Sequence, residues 1–177
     1  QRLEDLLTLV RRWLPLAPNA EFSVEANPCD INADKAAVLA TAGVTRISLG
    51  AQSFHAEKLR LLERDHDADQ IRSAVELIRP FAKSISLDLI FGIPNETLDQ
   101  WQSDLAAALA LEPDHLSTYG LTWEKGTAFW SRLAHGELAQ LDEDIERQMY
   151  EAAIDRLTTN NFEHYEVSNF AREGSRC

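Results

Sequence analysis

The chain of 177 residues is 45% apolar and 26% charged, a composition typical of a folded globular domain and unlike that of disordered or fibrous proteins. Its 17 basic and 29 acidic residues give a formal net charge of -12, and no stretch concentrates the basic residues on one predicted face, which argues against nucleic acid as a partner. No apolar run approaches the ~20 residues of a membrane span and the start carries no signal-peptide pattern, so we expect a cytoplasmic protein whose membrane association, if any, is peripheral.

Helical and strand patterns alternate along the whole chain. Asn32 and Thr97 are suited to cap helices, and Gly43 is suited to end one. The predicted helices cover 3–14, 33–42, a short piece from 56, 68–81, 98–111 and 143–158. The predicted strands cover 21–27, 44–50, 84–91, 115–121 and 164–168. The stretch 123–141, which contains Gly126 and Gly136, is predicted to be irregular.

Strands that alternate with helices predict parallel βαβ units and hence an α/β fold, either doubly wound or closed as a barrel. The predicted strands are too few to close a barrel, the chain starts on a helix, and no helix follows the last strand. We therefore predict that residues 1–177 form a single domain, a partial parallel (β/α) barrel that is missing its first strands and is truncated at both ends.

Four of the five predicted strands each keep one polar face, because alternate residues of a strand point to the same side. The polar sets are Ser23, Glu25 and Asn27; Arg46, Ser48 and Gln52; Ser84, Ser86 and Asp88; and Ser117 and Tyr119. Parallel strands covered on both faces normally read as continuous apolar runs, so this pattern needs a reason. One reason is a polar barrel lumen, in which Glu25, Gln52, Asp88 and Tyr119 converge on a large polar ligand near the C-terminal rim. The other is a sheet with helices on one side only, whose polar faces are solvated.

Four segments at the C-terminal ends of the predicted strands carry a family resemblance. They read SVEANP at 23–28, RISLGAQSF at 46–54, LDLIFGIPNET at 87–97 and YEVSNFAREG at 165–174. In this order and spacing they resemble the radical S-adenosylmethionine (SAM) proteins related to oxygen-independent coproporphyrinogen III oxidase. The last segment is more similar to the HemW-type haem chaperones of this family than to the true oxidases, and the resemblance covers nearly the whole chain.

The resemblance implies that Glu25, Gln52, Arg64 and Asp88 contact SAM, and that the backbone at Gly120 flanks the adenine. The two carboxylates can accept hydrogen bonds from ribose hydroxyls or an ammonium group, and a guanidinium can pair with the methionyl carboxylate.

Plainer roles stay open for several of the polar residues. Arg64 could instead be a solvated charge that pairs with Asp65 or Asp67, and Asp88 a structural acid. Four residues are expected to cap helices or close turns rather than touch ligand: Asn27, Ser53, Asn95 and Asn169. Three tryptophans are expected to pack rather than to contact haem: Trp101, Trp123 and Trp130. Any of the five histidines could ligate haem iron, and none stands out: His55, His66, His115, His135 and His164.

The chain departs from the family at its cluster motif. Radical SAM proteins hold a [4Fe-4S] cluster on three cysteines in a CxxxCxxC run, and the iron that lacks a cysteine binds SAM. Cys29 and Cys177 lie far apart, so they supply neither that motif nor a disulfide framework, and we expect reduced thiols. The chain by itself is therefore expected to be inactive, with the ligands of the cluster absent from it.

Two functions follow from the resemblance. One is a haem chaperone that binds haem and passes it to an acceptor protein; the other is an oxygen-independent coproporphyrinogen III dehydrogenase that acts on a porphyrinogen. A phosphate- or sugar-binding barrel ranks last, because no glycine-rich turn opens a helix in this sequence.

Overall fold

The computed structural model describes residues 2–177, which fold as helices packed on one six-stranded sheet. The helices are α1 (Arg2–Trp13), α2 (Ala33–Ala42), α3 (Ala56–Leu61), α4 (Ala68–Ile78), α5 (Leu98–Leu109), α6 (Ala128–Ala134) and α7 (Glu143–Thr159). The strands are β1 (Ser23–Ala26), β2 (Arg46–Gln52), β3 (Ser84–Phe91), β4 (His115–Gly120), β5 (Glu163–Glu166) and β6 (Asn169–Ala171). A single 3-10 turn, Pro28–Asp30, follows β1.

The sheet is mostly parallel and open, in the order β1-β2-β3-β4-β6-β5. Strands β1 to β4 pair in parallel, and the register aligns Glu25 with Ser48, Ser48 with Ser86, and Asp88 with Ser117. The polar faces therefore form one continuous surface. This arrangement confirms the predicted α/β fold with an open, partial barrel; further strands beyond the chain stay a prediction.

The end of the chain differs from the prediction of a last parallel strand at 164–168. It forms a hairpin instead, in which β5 pairs antiparallel with β6 and β6 pairs antiparallel with β4. Only Val167 and Ser168 separate the two strands, and a connection this short permits an antiparallel pair but no parallel crossover.

The prediction of irregular structure over 123–141 is also wrong in part, because α6 lies within it. Thr127 caps this helix, with its side chain accepting a hydrogen bond from the backbone N–H of Trp130. Gly126 and Gly136 have positive φ angles of 91° and 74°, so they flank the helix at its two ends rather than interrupt it.

The caps predicted elsewhere are confirmed. Asn32 accepts a hydrogen bond from Lys35 N at the start of α2, and Gly43 ends that helix in the left-handed conformation. Thr97 begins α5 with a capping box that includes Gln100. None of the helices in residues 2–177 is long and apolar enough to cross a membrane.

The core lies between the apolar face of the sheet and the outer helices. Leu49, Leu87 and Leu116 of the central strands are completely buried. Trp101 of α5 is equally buried, and its Nε1 donates to the Met149 carbonyl oxygen at 2.7 Å. Packing on one face only leaves the polar face of the sheet free to line cavities.

Candidate ligand site at the strand ends

A cavity of about 660 Å³ lies at the C-terminal ends of β1, β2 and β3. Four of the five residues predicted to contact SAM line it: Glu25, Gln52, Arg64 and Asp88. Its volume is in the range of small-molecule sites, about 300 to 1,000 Å³. Gly120, the fifth predicted residue, ends β4 and is not among the residues that line this cavity.

Asp88 on β3 is a partly buried residue at the floor of the cavity, and its carboxylate points toward β2. Its Oδ2 accepts a hydrogen bond from Ser48 Oγ at 2.9 Å. Burial raises the pKa of Asp88 above its usual range, hydrogen bonds from serine hydroxyls lower it, and the nearby charge of Glu25 raises it further. The carboxylate oxygens of Asp88 can accept a hydrogen bond from a ligand or pair with a cationic group of it.

Gln52 lies at a strained point of the backbone. Its φ is 62°, and the N–H of Ser53 donates to the Ala51 carbonyl at 2.7 Å, which closes a three-residue turn around Gln52. The pairing of β2 with β3 shifts register between Leu49 and Gln52. Strained backbone of this kind gathers at functional sites, where the surrounding structure enforces it.

The Gln52 side chain packs closely against Gly50, and His66 contacts the backbone of the turn. A Cβ at Gly50 would come within 2.9 Å of Gln52 Nε2, so the glycine leaves the amide room. On the far side of the turn, the Nε2 of buried His66 donates to the Ala51 carbonyl at 2.9 Å.

Arg64 reaches the cavity from the loop after α3. Its Nε is buried without a hydrogen-bond partner within residues 2–177. The alternative pairing with Asp65 or Asp67 does not occur in the described part of the chain. A buried donor without an acceptor costs stability, so Arg64 suits a ligand that brings a carboxylate.

Further polar residues complete the cavity wall, and sequence reasoning gave them plainer roles or none. Asn27 was expected to close a turn; Asp30 and Lys35 form an exposed ion pair at 3.0 Å on the rim. Lys35 lies only three residues from Asn32, the cap of α2, but no local pattern shows that this helix start faces the strand ends.

A buried charge cluster lies behind the cavity and was missed by sequence reasoning. Lys58 Nζ lies 2.6 Å from Asp104 Oδ2 and also contacts the carboxylate of Glu96, and all three side chains are at least 97% buried. The three residues come from α3, the loop after β3, and α5, with no local spacing that links them. Only their tertiary arrangement could reveal them.

A second cavity of about 290 Å³ continues along the polar face toward the other end of the strands. It shares Glu25 and Asp88 with the first cavity and is also lined by Tyr119, Arg46 and His115. The predicted convergence on one ligand is therefore confirmed only in part, because Glu25 and Asp88 line both cavities, Gln52 lines only the first of them and Tyr119 only the second.

His115 is buried in this second cavity within hydrogen-bond distance of two hydroxyls. Its Nδ1 lies 2.9 Å from Ser86 Oγ and its Nε2 lies 2.8 Å from Tyr165 Oη. Burial, with help from the charge of Arg46, lowers the pKa of His115 to about 4. Burial also raises the pKa of Tyr165 to about 12, so both side chains are neutral at physiological pH.

The chain's own residues do not fit an iron-sulfur cluster. Cys29 and Cys177 are both exposed free thiols, and a [4Fe-4S] cluster needs at least three cysteine ligands. Within residues 2–177, no three histidine, cysteine or acidic side chains come together in a way that could hold a metal ion.

The chain is similar in sequence to known proteins. The sequence profile described as the Radical SAM superfamily matches residues 2–108. The heme chaperone HemW of Lactococcus lactis is 39% identical over 98% of this chain, and that of Escherichia coli is 39% identical over 99%. The chain covers 46% of each, so it spans about half the length of the curated relatives it matches.

Solved structures show the same similarity. The radical SAM enzyme coproporphyrinogen III oxidase (HemN) of Escherichia coli matches with a TM-score of 0.85 at 26% identity, covering 98% of this chain and 40% of that one. Elp3 of Methanocaldococcus infernus matches with a TM-score of 0.66 at 21% identity over 77% of this chain and 32% of that one, a likeness of fold alone.

Proposed function

Because the chain belongs to the radical SAM superfamily, we propose that the cavity at its strand ends binds SAM and that the protein is a haem chaperone. The single observation that carries the SAM site is that Glu25, Gln52, Arg64 and Asp88 line one cavity, although they are spread over 64 positions. The heme chaperones HemW among its relatives support the second part of the proposal.

The side chains in the cavity match the polar groups of SAM. Glu25 and Asp88 offer acceptors for ribose hydroxyls or an ammonium, and the buried Nε of Arg64 offers a donor for a carboxylate. Gln52 carries both a donor and an acceptor at the cavity wall. Gly120 is proposed to flank the adenine through its backbone.

A [4Fe-4S] cluster, when bound, supplies the electron that cleaves SAM in this superfamily. The cysteine ligands of this cluster are proposed to lie outside these 177 residues. What this chain contributes is the polar wall that binds and orients SAM.

The haem-related part rests on the relatives and on the second cavity. We propose that haem binds near the polar face of the sheet and is then transferred to an acceptor protein. In the alternative below, a porphyrinogen binds there instead. A cytoplasmic location belongs to the same proposal, supported by the two unpaired, exposed thiols.

The alternative function is an oxygen-independent coproporphyrinogen III dehydrogenase. The close structural match to the HemN oxidase favours it, since that match covers 98% of this chain. The two functions differ in whether the porphyrin skeleton is carried unchanged or loses CO₂.

One experiment separates the functions and tests the SAM site. The full-length protein is reconstituted anaerobically; haem binding is followed by absorbance, and coproporphyrinogen turnover is assayed on the same sample. Haem binding without turnover supports the chaperone, and turnover replaces it with the dehydrogenase. The absence of both a cluster and haem contradicts the proposal.

The SAM site is tested by equilibrium dialysis of SAM with the same preparation. Arg64→Gln is expected to weaken binding at least tenfold, since a hydrogen bond to a charged group contributes about 1.5 to 3 kcal/mol. Arg72→Gln on the exposed face of α4 is the matched control and should bind as the wild type does. Equal affinity in both variants would remove Arg64 from the site.

A further inference from the structure

The strained turn at Gln52 is held by a side chain from a distant helix. Asp104 of α5 accepts a hydrogen bond from Phe54 N at 2.7 Å on its Oδ1 and from Ser53 Oγ at 2.8 Å on its Oδ2. Ser53 and Phe54 are the two residues that directly follow Gln52. One carboxylate therefore fixes the backbone on the C-terminal side of the turn.

Lys58 pairs with that carboxylate inside the protein. Its Nζ lies 2.6 Å from Asp104 Oδ2, and the side chains of the two residues are 3% and 0% exposed. His55 Nε2 approaches the other oxygen of Asp104 only to 3.9 Å. A buried carboxylate without a close cation is strongly disfavoured, so Lys58 is what allows Asp104 to act as a double acceptor.

The same lysine connects the turn to the strand that carries Asp88. Lys58 also contacts Glu96, whose Oε2 accepts a hydrogen bond from Ile93 N at 3.1 Å, and Lys58 Nζ lies 3.4 Å from the Ile90 carbonyl. The segments that follow β2 and β3 both contact the buried ammonium group of Lys58, directly or through a carboxylate. The same two strands contribute Gln52 and Asp88 to the cavity.

We propose that Asp104, supported by Lys58, is a positioning residue for the ligand cavity: it holds the Gln52 turn so that the Gln52 side chain meets the ligand. The inference rests on the proposed SAM site. A buried ion pair is a weak source of stability compared with well-packed apolar residues, so its use here favours a role in setting one backbone conformation. Neither Asp104 nor Lys58 lines the cavity itself.

The test compares SAM affinity in variants of the full-length, reconstituted protein. Asp104→Asn removes the charge that Lys58 matches, and Ser53→Ala removes one of the two hydrogen bonds that Asp104 accepts from residues 53 and 54 and leaves the charges intact. Leu157→Ala is the control, because Leu157 is fully buried in α7 and does not line the cavity. Urea midpoints are measured on each variant so that SAM affinities are compared under conditions in which every variant is folded.

We expect Asp104→Asn to weaken SAM binding roughly tenfold and Ser53→Ala roughly threefold, in line with losing hydrogen bonds that order the turn. Leu157→Ala should lose more stability than Ser53→Ala and yet bind SAM like the wild type. A wild-type affinity in Ser53→Ala, or an equal loss in Leu157→Ala, overturns the positioning role. The Ser53 comparison decides the matter even if Asp104→Asn does not fold.

Amide hydrogen exchange separates this proposal from the SAM site itself. Relative to core amides of the same variant, Phe54 N–H should exchange faster in Ser53→Ala than in Leu157→Ala, whether or not SAM is present. If the wild type binds no SAM, the proposed function fails, and unchanged exchange at Phe54 would independently refute the support of the turn by Asp104.

Discussion

The Oγ of Ser48 on β2 donates a hydrogen bond to Oδ2 of Asp88 on β3 at 2.9 Å, directly under the ligand cavity. This hydrogen bond stabilises the ionised carboxylate and so lowers the pKa of Asp88. Burial raises that pKa by more, so the net change is upward. A carboxyl whose pKa is raised by folding contributes stability below its unfolded pKa, and that contribution is lost as the pH rises through the folded pKa. Asp88 therefore costs stability at neutral pH.

Asp88→Asn should raise the stability of the protein at pH 7 by on the order of 1 kcal/mol while weakening SAM binding, the usual trade at a functional site. Urea denaturation at pH 7 and equilibrium dialysis measure the two effects. Asp114→Asn is a useful control, because Asp114 directly precedes β4, does not line the ligand cavity, and accepts a hydrogen bond from Ile85 N. A fall in stability for Asp88→Asn would contradict the assigned balance of burial and hydrogen bonding.

His115 predicts a pH-dependent loss of stability on the acid side. Burial lowers the pKa of His115 to about 4, below the ordinary value of 6.5, so the unfolded chain takes up a proton before the folded one does. The stability from the neutral ring is complete above about pH 6.5 and is lost as the pH falls toward about 4. The loss should be about 3 kcal/mol.

His115→Gln should flatten this part of the stability profile, measured as urea midpoints between pH 7 and pH 4. His135→Gln changes an exposed histidine in the cap of α6 and should leave the profile unchanged. An unaltered slope in His115→Gln would mean that another group is responsible.

Lys58→Met should destabilise the protein by about 3 to 5 kcal/mol, because it leaves the carboxylates of Glu96 and Asp104 buried without a cation. Arg72→Met, which breaks an exposed pair with Asp69 at 2.8 Å, should change stability by less than about 1 kcal/mol. Urea denaturation of both variants at one pH makes the comparison. Similar losses in the two would show that burial of the cluster has little energetic consequence.

Gln52→Gly should stabilise the protein by about 1 kcal/mol, since glycine adopts the positive φ of 62° without the strain of a side chain. SAM binding should weaken in the same variant because the amide is lost from the cavity. Gln102→Gly, in the exposed middle of α5, should instead destabilise by about 1 kcal/mol. A destabilised Gln52→Gly would mean that side-chain contacts outweigh the backbone strain.

The sequence by itself determined the local elements and the direction in which their side chains point. The caps at Asn32 and Thr97 and the alternation along β2 and β3 depend on neighbours a few residues apart, so they could be predicted. The convergence of Glu25, Gln52 and Asp88 followed as well, because parallel strands end at the same edge of a sheet.

Only the tertiary structure decided the terminal hairpin, the Gln52 turn and the buried cluster behind it. The antiparallel pairing of β6 beside β4 depends on which sheet edge is free, and the contact between Lys58 and Asp104 joins residues 46 positions apart. Such contacts follow from the packing of whole helices and strands, which no local pattern of residues encodes.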